Sequence, residues 1–510
     1  MSTALTNSWI ALAVATFLAA LFVLLYTAPQ SQTDVPLIRD RGRKRFRAST
    51  LVSYLFNAND ILQEAYDTYL KHGKTCRVPD KGLGTMILIP NRYMKWMLSQ
   101  PPDVLSSHEA IVETVQARWA FGNTRYLTDQ WHFDIIRAAL RPLSKAGIVE
   151  FQEELERSMS CVLGHDRVNW KTVNPTKAMK RILLQATARY IVGSPLCADE
   201  QFLRWILIFI EGITPVAELL RLTPRGLRSV IGHIFSIPRL VVIQKLKTIL
   251  RPHYDERLSF IRSGQSPEEG PQDFLQVMMR DLYERNSADL NLHFITINIL
   301  IFGLAAAVQP YMLTPSVLYD ILESDAEYNT IAELQEELLG VLGEPSQDQH
   351  WSRREATQMI KLDSVLRESL RTNTLVGQTM PRKVMVANLQ TPDGYTLPRG
   401  ATVALLARAV QTDPDIYPNP SKFIPFRHVV PGGKRFPATG EDFLAFGHAQ
   451  YACPGRFLVS VELKMLVAHI LRHYHIELPA EYGGKRPKAV WLTDLKLPPQ
   501  QGVIRVKRRV

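Results

Sequence analysis

Residues 446–457 read FGHAQYACPGRF and run directly into an apolar-periodic stretch, LVSVELKMLVAHIL. Cys453 therefore sits just ahead of an expected helix N-terminus, where backbone N–H groups and the helix dipole stabilise a thiolate. Pro454 and Gly455 let the chain turn tightly, so that a flat ligand can approach the sulfur. A lone thiolate facing a macrocycle is one of the axial ligands of haem iron, and it pushes electron density in a way that favours O–O cleavage. Taken alone, the segment reads at least as well as a buried core cysteine. The other cysteines, Cys76, Cys161 and Cys197, form no CxxC pair for zinc and are too scattered for a disulfide framework. That usage suits a reducing compartment.

A second constellation lies upstream. LRESLR, residues 366–371, places Glu368 and Arg371 three apart on one helix face, where carboxylate and guanidinium can pair. An isolated pair of this kind is usually a solvated surface bridge worth ~0–1 kcal/mol. A second arginine, Arg427, follows in the Pro-rich segment FIPFRH.

Together these segments make the chain resemble a cytochrome P450, a haem-thiolate monooxygenase, of the microsomal, fungal type. The likeness covers nearly the whole sequence. It is carried by KLDSVLRESLR (residues 361–371), ARAVQTDPDIYPNPSKFIPFRH (407–428) and FGHAQYACPGRF (446–457). The resemblance implies heme b with Cys453 as the iron ligand, and Phe446 packed near the sulfur. It also implies a buried structural triad of Glu368, Arg371 and Arg427. His132 or Arg137, in WHFDIIRAALR, and Arg382 are the implied partners of the haem propionates; ordinary surface charge is the competing reading. The activity implied is oxidation of a hydrophobic small molecule, such as a terpenoid, polyketide or alkaloid intermediate of secondary metabolism. Dioxygen and NADPH electrons, passed through a cytochrome P450 reductase, would drive it.

The sequence departs from the family pattern in two places. In the cysteine loop, Ala449 stands where glycine is usual and Tyr451 where a basic residue is usual. The alanine is tolerable if its φ is negative. On the central helix, Gln309 and Pro310 occupy the positions where relatives carry an acid or histidine followed by threonine, the pair that delivers protons to the oxygen site. Gln does not titrate near neutral pH, and Pro has neither hydroxyl nor N–H. Pro310 is expected to kink or break its helix. Either water or a substrate hydroxyl supplies the protons, or the enzyme is an isomerase or dehydratase that bypasses the usual oxygen cycle. A third reading is a membrane-tethered haem binder without catalysis.

The elements that must position these residues read as a mainly α body with small β-sheets, the cytochrome P450 fold, behind one N-terminal transmembrane helix. Short strands are expected at 76–78, 86–90, 383–387 and 402–406. Apolar spacings of three and four residues predict helices over 148–163, 174–192, 200–213, 238–261, 274–284, 290–304, 316–340, 355–372 and 455–473. Pro252 should kink or divide the fourth of these. The apolar run 290–304 is interrupted by polar residues, so it reads as a buried central helix and not as a second membrane span.

Residues 9–27 are an uncharged apolar stretch of 19, and no charged side chain occurs before Asp34. At about 1.5 Å per residue they nearly span a bilayer core. The arginines and lysine of 39–47 then stay on the cytoplasmic side by the positive-inside rule. The expected organisation is an anchor (1–30), a basic juxtamembrane linker (31–50) touching anionic lipid, and a catalytic domain (51–510) facing the cytoplasm from the endoplasmic reticulum membrane. A cleaved signal peptide would need a basic n-region and a shorter apolar core. With 510 residues, 46% hydrophobic and 21% charged, the composition excludes a disordered or fibrous chain. The net charge of +11 suits an anionic membrane or an acidic reductase face, and the basic cluster's place beside the anchor argues against nucleic acid.

Overall fold

The computed structural model describes residues 33–509 apart from 41, 44, 83, 141–145, 224–225 and 346–350. The anchor at 1–30 lies outside the described residues. The chain divides into two units, one of residues up to 128 with 213–237 and 378–409, the other of 129–212, 238–377 and 410–510.

The first unit is organised on a five-stranded sheet. Helix α1 (Ala48–Ala65) precedes β1 (Cys76–Pro79), β2 (Thr85–Leu88), β3 (Leu105–Ser106), β4 (Gln378–Val384) and β5 (Thr402–Leu406). The strand order is β1-β2-β5-β4-β3. Only the β2–β5 pair is parallel, with Ile87 opposite Val403. Those two strands sit inside the sheet, and their near-continuous apolar runs match burial on both faces. The segment before α1 is packed and not a free tether. Val35, Leu37 and Ile38 are buried, Arg39 pairs with Glu64 at 2.6 Å, and buried Asp40 takes the Arg47 guanidinium at 3.1 Å.

The second unit is helical. Its helices include α2 (Gln130–Leu140), α3 (Ala146–Leu163), α4 (Pro175–Val192), the first part of α5 (Glu200–Leu222), the larger part of α6 (Arg228–Arg262) and α7 (Phe274–Glu284). Then come α8 (Leu292–Tyr328), α9 (Thr330–Leu342), α10 (Ile360–Thr372) and α11 (Arg456–His473), with a hairpin of β6 (Val490–Leu492) and β7 (Leu495–Leu497). Polar caps set the helix starts. The side chains of Asn174, Asp273 and Asn291 accept from the backbone N–H three residues on, which satisfies otherwise orphaned donors.

Neither Pro252 nor Pro310 divides its helix. α8 continues through Pro310 and Pro315 for 37 residues, and α6 continues through Pro238 and Pro252 for 35. A proline inside a helix costs ~3 kcal/mol, and packing over the full length outweighs it. In α8, buried Phe294, Ile295, Ile299, Leu300 and Phe302 lie before Pro310, and Val317, Leu318 and Ile321 after it. In α6 the buried stripe Ile243, Leu246, Leu250, Tyr254 and Ile261 spans Pro252. The mid-chain apolar run is thus a buried core helix, and it absorbs the start of the helix expected over 316–340. That helix is interrupted at Asn329, whose φ of 49° places it in the left-handed region. Likewise the helix expected over 355–372 breaks at Met359, separating Arg353–Gln358 from α10.

Candidate active site

Every residue from Leu362 to Arg371 of α10 is buried, so its charged side chains have no water to turn to and must be paired within the protein. Glu368 and Arg371, both fully inaccessible, form a bidentate pair, Nε to Oε2 and Nη2 to Oε1, each at 2.8 Å. The remaining Arg371 donors reach the carbonyls of Gln411 (2.7 Å), Pro420 (2.8 Å) and Lys422 (3.3 Å). Arg427 Nε donates to Glu368 Oε1 at 2.8 Å, and its Nη atoms reach the carbonyls of Pro418 and Asn419. The structure therefore brings Glu368, Arg371 and Arg427 together. These donors hold the Glu368 carboxyl down at about 2 against the opposing effect of burial.

Sequence reading missed several members of this core. His428 Nε2 lies 3.3 Å from Glu368 Oε2, and its backbone N–H is held by Ser364 Oγ. One turn earlier on α10, Asp363 accepts from the Phe436 N–H at 2.6 Å and pairs with Lys464 of α11. Arg367 donates to the carbonyls of Arg435 and Ala438, both at 2.8 Å, and stacks 3.8 Å above the Phe443 ring. The signal was present in KLDSVLRESLR, where Asp363, Arg367 and Arg371 recur every four residues on a helix otherwise rich in apolar side chains. These contacts clamp the irregular segment 413–444 onto α10 and α11. A segment without a ladder of its own is fixed by donors whose positions a helix dictates.

That segment delivers the cysteine loop. Cys453 N–H donates to Phe446 O at 2.8 Å, closing the loop, and the Phe446 ring meets Phe436 edge-on at 5.3 Å. Cys453 is accessible at the N-terminus of α11. Enclosure on the protein side pushes its thiol pKa up, while the N–H groups of Gly455 and Arg456 and the Arg456 charge pull it down. Gly447 has φ +70°, and a Cβ there would come 2.8 Å from the Tyr451 carbonyl oxygen, so only glycine fits this bend. At Gly455 a Cβ would stand 3.9 Å from the Cys453 sulfur, which leaves that approach uncrowded. Ala449 does not meet the condition set for it, because its φ is +52°. The loop's hydrogen bonds hold an alanine in the left-handed region at a cost of about 1–2 kcal/mol.

The other candidates separate. His132 is buried on α2 between the rings of Trp131 (5.0 Å) and Phe294 (5.8 Å), and Trp131 Nε1 donates to Asp281 at 2.7 Å. Arg137 is exposed and lies 3.4 Å from Asp134. Arg382 belongs to the first unit. It follows a register shift in β4 where Met380 has φ +53°, it is buried, and Nη1 donates to Pro381 O at 2.9 Å. On α8, Gln309 is exposed and Pro310 is buried. Thr314, one turn on, donates its hydroxyl to the Pro310 carbonyl at 2.7 Å.

An accessible thiol at a helix N-terminus, with a glycine bend behind it and a charge-locked frame around it, fits a planar metal macrocycle held from one side by sulfur. The comparisons agree with the site. Residues 50–504 match the cytochrome P450 family, and the chain belongs to that family. It is similar to cytochrome P450 monooxygenase pbrC of Penicillium brasilianum, with 32% identity across 96% of this chain and 94% of the relative. It is also similar to tenB of Beauveria bassiana, 34% identical over 93% and 92%, and to astC of Aspergillus terreus, 32% identical over 96% and 94%. Both are likewise named cytochrome P450 monooxygenases. The protein is thus a haem-thiolate monooxygenase.

Proposed function

We propose that Cys453 is the axial ligand of heme b and that the enzyme oxidises a hydrophobic small molecule of fungal secondary metabolism with electrons from NADPH through a reductase. The accessible Cys453 thiol at the α11 N-terminus carries this reading. When bound, the haem supplies the redox centre for reducing dioxygen and oxygenating the substrate. The chain's residues do the rest. The Gly455 and Arg456 N–H groups stabilise sulfur charge, and Phe446 shields the loop from water, both of which tune a thiolate-held metal. The Glu368 network fixes the loop's approach. His132, a buried cation-capable group in the same unit as Cys453, is the proposed propionate partner; exposed Arg137 is better explained as a surface pair with Asp134. Pro310 offers no hydroxyl, and that of Thr314 is spent on a backbone carbonyl, so protons arrive through water or a substrate hydroxyl.

We further propose a single-pass attachment to the endoplasmic reticulum membrane through residues 9–27. Leu227, Val230, Ile234, Ile237 and Leu240 are each at least half exposed on and beside α6, an apolar face that suits a lipid surface. A reduced carbon-monoxide spectrum of the purified holoenzyme tests the ligand. The red-shifted thiolate band is expected in wild type and lost in Cys453→Ser. A wild-type protein that binds haem without that band, or a serine variant that keeps it, refutes the assignment.

A further inference from the structure

We propose that Glu462 is a proton-accepting residue that tunes the site through α11, taking up a proton from solvent when the site accepts an electron from the reductase. This rests on the reading above that Cys453 holds the haem, and it concerns how the chain sets the ease of that reduction. Cys453, Glu462 and every group invoked below belong to the second unit.

Glu462 lies six residues inside α11 and nine beyond Cys453, on the order of 12 Å along the axis. It faces the core. Only 2% of the residue is exposed, and among the described residues no hydrogen bond of ordinary length reaches either carboxyl oxygen. A buried carboxylate needs a cation or several donors, whereas a neutral carboxyl needs neither. Burial is the largest influence on this carboxyl, and the Tyr190 hydroxyl of α4 is the only side chain that bears on it. The charges on the elements packed against α11 are engaged elsewhere. Glu154 of α3 meets Arg157 at 2.6 Å, and Glu333 of α9 meets Lys361 at 2.5 Å. Asp363 of α10 pairs with Lys464, and Asp320 of α8 with Arg486. Glu477, in the strand that follows α11, meets Arg505 at 2.7 Å, and Glu355, in the helix at 353–358, accepts from the Ser352 N–H. His469, on α11 itself, lies 3.7 Å from Glu156. With no counter-charge bearing on it among the described residues, the carboxyl is pushed by burial up to about 7, where its proton exchanges near neutral pH.

The coupling is electrostatic. An electron added at the sulfur-held centre places one more negative charge on the order of 12 Å from the carboxyl. At an effective dielectric constant of about 20, that charge strengthens the hold on the proton by about tenfold. The centre gains one electron from the reductase, the carboxylate gains one proton from solvent and becomes a carboxylic acid, and their summed charge is unchanged. By reciprocity the neutral acid favours reduction over the carboxylate by the same factor. Reduction is therefore easiest below about pH 7 and becomes about tenfold less favourable as pH rises from about 7 to about 8.

The test is a spectroelectrochemical titration of the holoenzyme from about pH 5.5 to about pH 9, with infrared difference spectra of the reduced and oxidised forms. Wild type should show the tenfold change in its reduction equilibrium across neutrality. Glu462→Gln, which keeps the shape and is neutral at every pH, should hold the wild-type acid value throughout. Reduction of wild type near neutral pH should produce a protonated-carboxyl stretch that is missing in Glu462→Gln. Tyr190→Phe removes the one side chain that favours the ionised form, so it should move the change to higher pH with its span kept. The same pH dependence in wild type and Glu462→Gln, an unaltered midpoint in Tyr190→Phe, or no carboxyl stretch on reduction overturns the proposal. If any of these occurs while the thiolate band is present, the role of Glu462 fails and the ligand assignment stands. If the band is absent, the ligand assignment fails and the coupling fails with it.

Discussion

Glu368→Gln is the most informative perturbation of the frame that holds the cysteine loop. The substitution preserves shape and removes the charge that faces two guanidinium groups. Arg371 and Arg427 keep their carbonyl acceptors but lose the only carboxylate within ion-pair distance of either among the described contacts. Stranding one partner of a buried pair costs about 3–5 kcal/mol. The carboxyl's depression from 4.5 to about 2 gives a second route to the magnitude, since at about 1.36 kcal/mol per pH decade it corresponds to about 3 kcal/mol. Either value is a large share of a domain stability of about 5–15 kcal/mol. The sign follows from the native group binding its proton less tightly than the unfolded one. The stabilisation is complete above about pH 4.5 and disappears as pH falls through about 2. Urea unfolding followed by circular dichroism, with haem retention read in parallel, should show the loss at pH 7 and a flatter acid limb in the variant. A variant within about 1 kcal/mol of wild type at pH 7, or one with an unchanged acid limb, would refute the account of a charge-locked frame.

Two further outcomes concern single residues. Ala449→Gly should relieve the left-handed backbone at φ +52° and raise stability by about 1 kcal/mol, visible as a higher melting temperature with an unchanged spectrum; a lower melting temperature would show that the methyl group makes a needed contact. Glu462 is buried on α11 beside Tyr190, and burial pushes its carboxyl up to about 7. Its native form holds the proton more tightly than the unfolded chain, so wild-type stability should fall as pH rises from about 4.5 to 7. Glu462→Gln should lack that fall and be the more stable by about 3 kcal/mol at pH 8. Parallel pH profiles for the two proteins in denaturant melts would contradict this.

Much of the site was legible because its parts are local. Cys453 and the start of α11 lie within a few residues of each other, and Glu368 and Arg371 are three apart, so helical geometry alone predicts their pairing. Strands and helices carried by apolar periodicity were also readable, as at Thr402–Leu406, Pro175–Val192 and Phe274–Glu284. The break that the prolines allowed for did not occur, for the opposite reason. The local cost at Pro252 and Pro310 is real, but residues far away in sequence bury the flanking turns and decide the outcome.

The sequence by itself determined the family, the cysteine proposed as the haem ligand and the carboxylate–arginine frame, since each is written in residue types at short, fixed spacings. Only the tertiary structure decided that His428 joins Glu368, that Asp363 and Lys464 meet and that Ala449 lies in the left-handed region. The two pairings join segments 60 and 101 residues apart. No local spacing encodes them, because they depend on which buried donors remain to be satisfied once the helices have packed.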